Sequence, residues 1–176
     1  MSEQRSVPSA AKWRLLLLGL GLGLGLAIAA PGCRGPGSGA PSVKPLPDSA
    51  FRLEWKGTDL PATVAPGSKV KITVTVRNAS DQTWRDSRTA ATTEPSSAIF
   101  LSYRWLRPGG TEVSGYTTRF DLPRSVPPDQ IVAVPVEIVA PGQPGEYQIQ
   151  FDLVQEFVAW FEQKGAAKLV VHVTVT

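Results

Sequence analysis

The sequence predicts an all-β fold, an antiparallel sandwich of seven or eight strands preceded by one N-terminal hydrophobic helix. Three observations carry this. Beyond residue 50, apolar and polar residues alternate with period two in run after run. Pro, Gly, Asn and Asp punctuate the runs at short intervals, and no helical period appears among them. Ahead of them, Lys12 and Arg14 precede an uncharged apolar stretch, residues 15–30.

The first run sets Phe51, Leu53 and Trp55 against Arg52, Glu54 and Lys56. After the turn at Pro66-Gly67, Val70, Ile72, Val74 and Val76 alternate with Lys71, Thr73, Thr75 and Arg77. That pattern is a half-buried strand, closed by Asn78-Ala79-Ser80-Asp81. Residues 99–106 form another, with Leu101, Tyr103 and Trp105 on one face, and Pro108-Gly109-Gly110 turns the chain. Residues 116–122 are a weaker strand. Val132, Val134, Val136 and Ile138 alternate again, with Pro135 on the other face. Proline has no N–H for a ladder, so this strand belongs at an edge or carries a bulge. Tyr147, Ile149, Phe151 and Leu153 follow, then 157–161, then Leu169, Val171, Val173 and Val175. Short strands at this spacing point to a sandwich of immunoglobulin type, and Pro144-Gly145-Glu146-Tyr147 has the look of its tyrosine corner.

The N-terminal segment has the grammar of a secretory signal: a positive start, an apolar run, then small residues. The run is short for a full span, which needs about 20 apolar residues. Its four interleaved glycines weaken a helix further. The stretch Ala29-Ala30-Pro31-Gly32-Cys33 resembles a bacterial lipoprotein signal, although Pro31 and Ala30 depart from the usual pattern. That resemblance implies a lipid on the Cys33 sulfur and cleavage just before it. Two other readings are an uncleaved signal anchor and an ordinary cleavage site. All three put the folded part outside the inner membrane, in the cell envelope. Cys33 is the only cysteine, so no disulfide framework exists. Three segments follow: 1–33 as signal or anchor, 34–49 as a Gly/Pro/Ser-rich linker, and 50–176 as the sandwich.

Charge argues against nucleic acid. Residues 1–47 hold five Lys/Arg and one Glu, a net +4; residues 48–176 hold 13 Lys/Arg against 14 Asp/Glu, a net −1. The basic character sits in the N-terminal segment, and the folded part has no surplus cations for phosphates.

Several elements come in a fixed order: 76–80 (VRNAS), Trp84, 101–106 (LSYRWL), Leu122-Pro123, Ala140-Pro141-Gly142, 144–147 (PGEY) and 151–161 (FDLVQEFVAWF). In this order they resemble a bacterial immunoglobulin-like sandwich module of the kind appended to cell-surface glycosyltransferases. The carbohydrate-binding domain of O-antigen ABC transporters and the four-tryptophan domain of autophagy receptors are more distant in pattern. The resemblance covers about residues 51–176. It implies the fold; no functional residue carries over by position.

No catalytic constellation is present. His172 is the only histidine and alternates with Val171 and Val173, so it reads as a solvated strand residue. Asp81 and Asp86 near Asn78 make only a faint oxygen cluster. No metal, cofactor or enzymatic activity is expected. The candidate binding surface is aromatic. In 157–162 (FVAWFE), Phe157 and Phe161 are expected on one side of a strand and Val158 and Trp160 on the other. Tyr103 and Trp105, with Arg104, form a second candidate. Exposed aromatics can stack on sugars or anchor a protein; the competing reading has a loop or a sheet covering them. The expected function is a membrane-tethered, non-catalytic binding or assembly module. The alternative is a carbohydrate-binding accessory in surface polysaccharide synthesis or export.

Overall fold

The computed structural model describes residues 44–93 and 97–176. The apolar N-terminal run, Cys33 and the linker as far as residue 43 lie outside the described residues.

The described chain is mostly β. Its strands are β1 (Leu53–Thr58), β2 (Thr63–Val64), β3 (Lys69–Asn78), β4 (Ile99–Leu106), β5 (Glu112–Ser114), β6 (Phe120–Asp121), β7 (Ile131–Val139), β8 (Gly145–Gln155), β9 (Ala159–Trp160) and β10 (Leu169–Val175). One sheet has the order β1-β3-β7; the other runs β2-β10-β8-β4-β5, with β6 on β4 and β9 on β8. Pairing is antiparallel except for β2 on β10, which is parallel. The expected seven or eight strands become ten among the described residues, because four are only two or three residues long.

Period two decides what each long strand buries. From one sheet come Ile72, Val74, Val76, Val132, Val134, Val136 and Ile138; from the other come Leu101, Trp105, Tyr147, Ile149, Phe151, Leu153, Val173 and Val175. These sets form one core between the sheets. Each fully buried apolar side chain contributes about 1.5–3 kcal/mol.

The Tyr147 hydroxyl donates to the Gln143 carbonyl at 2.9 Å, closing the corner the sequence suggested. Pro135 does lie on an edge strand. Thr73, its partner across the ladder, turns its N–H and C=O toward Asp59 instead. The pair is therefore not hydrogen-bonded, and the missing proline N–H faces the open edge. Other groups cap that edge. Arg124 donates to the Ile131 carbonyl at 3.0 Å. Tyr103 Oη accepts from Val139 N–H at 3.0 Å, and Trp105 Nε1 donates to the Val139 carbonyl at 2.9 Å.

The sequence reading missed one helix, α1 (Ser87–Thr93). The Asp86 carboxylate accepts from the N–H groups of Arg88 and Thr89 and from the hydroxyls of Thr89 and Ser125. That cap satisfies the first turn. The hydroxyl of Ser125, foremost, and then Thr89 hold the buried Asp86 carboxyl far below the usual carboxylate range. Asp86 is thus the cap of this helix. Among the described residues no cluster of His, Cys, Asp and Glu could hold a metal.

Candidate functional site

Outward-facing polar residues of β4 and β8 meet across the ladder: Ser102 opposite Asp152, Arg104 opposite Gln150. Such a face would ordinarily be wet. Here the chain after β5 and the β9 hairpin fold over it. Arg104 stays bound to Gln150 Oε1 through Nε and Nη2, at 3.1 and 3.0 Å. Its guanidinium lies 4.8 Å from the centre of the Tyr116 ring. Tyr116 stacks on Trp160 at 4.3 Å and 27°. Arg119 then lies 4.7 Å from the Trp160 ring. The result is a continuous stack, Arg104–Tyr116–Trp160–Arg119, in which each cation meets the negative face of a ring. Arg119 also donates to Glu156 at 2.8 Å and to the Tyr116 carbonyl at 2.9 Å.

Beneath the stack Asp152 is completely buried. It accepts from Leu153 N–H at 2.8 Å and Glu162 N–H at 3.2 Å. Burial, the largest cause, pushes its carboxyl up to about 7; the two N–H groups pull the other way. Among the described residues, the buried Tyr116 hydroxyl makes no hydrogen bond. Burial raises its pKa as well. Both groups belong to a polar layer covered by the stack.

The structure separates the five aromatic candidates. Phe161 is completely buried, edge-on to Phe51 at 5.0 Å and Trp84 at 5.4 Å. It closes one end of the core. The strand expected over 157–161 breaks after Trp160, so Phe161 turns inward while Phe157 does not. Trp105 and Tyr103 are also buried, their polar tips spent on Val139. These three are corrected from surface to interior. Trp160 is half-buried within the stack. Phe157 alone of the five is open to solvent, at 84% exposure.

Phe157 is unusual in a second way. Residues 156–158 connect β8 to β9, with Val158 N–H bonded to the Gln155 carbonyl at 3.0 Å. A connection this short needs a positive φ, usually supplied by Gly or Asn. Phe157 supplies it, at φ 61°. A bulky residue there is a backbone outlier, and such strain gathers at functional positions. Beside it a groove of about 270 Å³ is lined by Arg119, Glu156, Phe157, Trp160 and Gln163, among others. Sequence reasoning missed Tyr116, Arg119 and Asp152. Their roles come from pairings distant in the chain, and only the outward phase of Arg104 and Asp152 was legible beforehand.

No protein-family model matches the chain, and no curated protein matches it. Solved structures do resemble it. A β-glucosidase from Listeria innocua with bound glucose shares 13% identity over 70% of this chain and 16% of its own length, TM-score 0.43. A β-glucosidase from Erythrobacter marinus shares 11% over 70% of this chain and 15% of its own, TM-score 0.40. The CARDB domain of a Pyrococcus furiosus protein, solved with di-metal ions, shares 14% over 71% of this chain and 84% of its own, TM-score 0.42. The CARDB domain is an immunoglobulin-like β-sandwich module. The chain spans about a sixth of the length of the β-glucosidases it matches.

Proposed function

We propose that this chain is a non-catalytic, immunoglobulin-like binding module, held in the bacterial cell envelope outside the inner membrane by its N-terminal segment. Cys33 is the site of lipidation in this reading, and the tip of the β8–β9 hairpin is the binding surface. One observation carries the choice of surface: Phe157 is a large apolar side chain, 84% exposed, on a turn with positive φ. Exposing such a ring and straining its backbone both cost stability, so a binding role accounts for its presence. The tether rests on the residues before and at Cys33.

A glycan is the second reading. Arg119, Glu156 and Gln163 flank the Phe157 groove and could hold sugar hydroxyls. Stacking would fall to Phe157, since Tyr116 and Arg119 already cover the Trp160 ring.

The test places a photo-crosslinking residue at position 157, and separately at the exposed Lys71 on β3, in the full chain within producing cells. The proposal expects a discrete adduct from 157 and none from 71. No adduct from 157, or equal adducts from both, would overturn it.

A further inference from the structure

The first described residues, Lys44 to Leu46, are bound to the strand that leads into the same hairpin. Gln155, two residues before Phe157, accepts from Leu46 N–H at 3.0 Å and donates from Nε2 to the Lys44 carbonyl at 3.1 Å. Lys44, the first described residue, is thus held by the strand end that leads into the hairpin. Eleven residues carry it from Cys33 to Lys44 (44 − 33). At about 3.3–3.6 Å per residue, no geometry of that segment takes Lys44 further than about 40 Å from Cys33.

We infer that the β8–β9 hairpin docks on the lipid bilayer, with Phe157 inserted at the membrane–water interface. This names the partner of the tip and rests on the tethered reading. An anchor at Cys33 keeps Lys44, and the hairpin beside it, within about 40 Å of the membrane. Phe157 stands further out than any other large apolar side chain among the described residues; Ile131 follows at 48%. The one acid flanking Phe157 is Glu156, and its charge is met by Arg119 at 2.8 Å. The tip therefore presents a neutral ion pair, rather than a bare carboxylate, to a medium that penalises charge. Trp160 lies behind it, half-buried, the residue type favoured at headgroup depth. The turn at Pro108-Gly109-Gly110 lies at the opposite end of the β4–β8 ladder, and in the docked state it faces away from the membrane.

The test reconstitutes the full chain into phosphatidylethanolamine–phosphatidylglycerol vesicles carrying an acyl-chain spin label. An environment-sensitive dye sits on Gln163→Cys, with Phe157 left in place, or on Lys71→Cys of β3. The parent chain treated with the same dye gives the background from Cys33. The inference expects the 163 dye to shift to the blue and lose emission several-fold to the spin label. The 71 dye does neither, and Phe157→Ser abolishes the effect at 163. A chain that floats with vesicles while the 163 dye stays water-like overturns the docking and leaves the tether standing. A chain that does not float removes the tether, and the docking with it. Equal quenching at 71 and 163, or a photo-adduct from 157 to a protein rather than a lipid, also overturns the docking.

Discussion

Two buried aspartates set the pH response, with opposite signs. Asp86 has its pKa lowered, so its contribution is present above the usual carboxylate range and is lost as pH falls. Asp152 has its pKa raised to about 7, so its contribution is complete below about pH 4 and is lost as pH rises through 7. Stability should therefore peak near pH 4, decline toward pH 7 by at most about 1.4 kcal/mol per pH unit, and level off above that. Urea midpoints across that range measure it. Asp152→Asn should flatten the decline; an unchanged slope would remove Asp152 as its cause. Phe157 gives a second residue-scale prediction. Phe157→Gly relieves the positive φ at an exposed site and should raise stability by up to about 1 kcal/mol in thermal melts. The same change should abolish the blue shift of the position-163 dye on vesicles, which is the trade expected of a strained binding residue.

Elements show which features of a sequence are local. The long strands were legible because alternation alone determines which face is buried. Pro135 announced its edge because a missing N–H is a property of one residue. Helix α1 was overlooked because residues 87–93 carry no apolar period; its Asp86 cap is local, and only the Ser125 hydroxyl that also holds the carboxylate comes from 39 residues beyond. Asp86→Ala should cost about 1–3 kcal/mol by unfolding in urea, because it strands the first-turn N–H groups and the Ser125 hydroxyl. The burial of Tyr103 was also not legible. Strand phase put it on the inward face, but its use as a cap for the β7 edge required both sheets to be placed. Tyr103→Phe keeps the ring and leaves Val139 N–H without its partner, at about 1–3 kcal/mol. A loss well below 0.5 kcal/mol would mean that water replaces the hydroxyl at that edge.

At the scale of the whole molecule, alternation determined a two-sheet core. It left open which aromatics would remain outside, because that depends on what folds over each face. Phe157, Trp160 and Phe161 lie within five consecutive positions and end in solvent, in a stack and in the core, respectively. A break in one short strand separates them. The apparent basicity of the chain likewise divides by region: +4 ahead of residue 48 and −1 beyond it. That division matches an N-terminal segment handled at a membrane and a nearly neutral domain beyond it. The tether is the claim on which the docked hairpin depends. It is tested most directly by the intact mass of the protein purified from the membrane fraction. The expected mass is that of residues 33–176 plus acyl chains, with Cys33→Ser leaving the precursor uncut or the protein released. A soluble, cleaved chain carrying no lipid would contradict it.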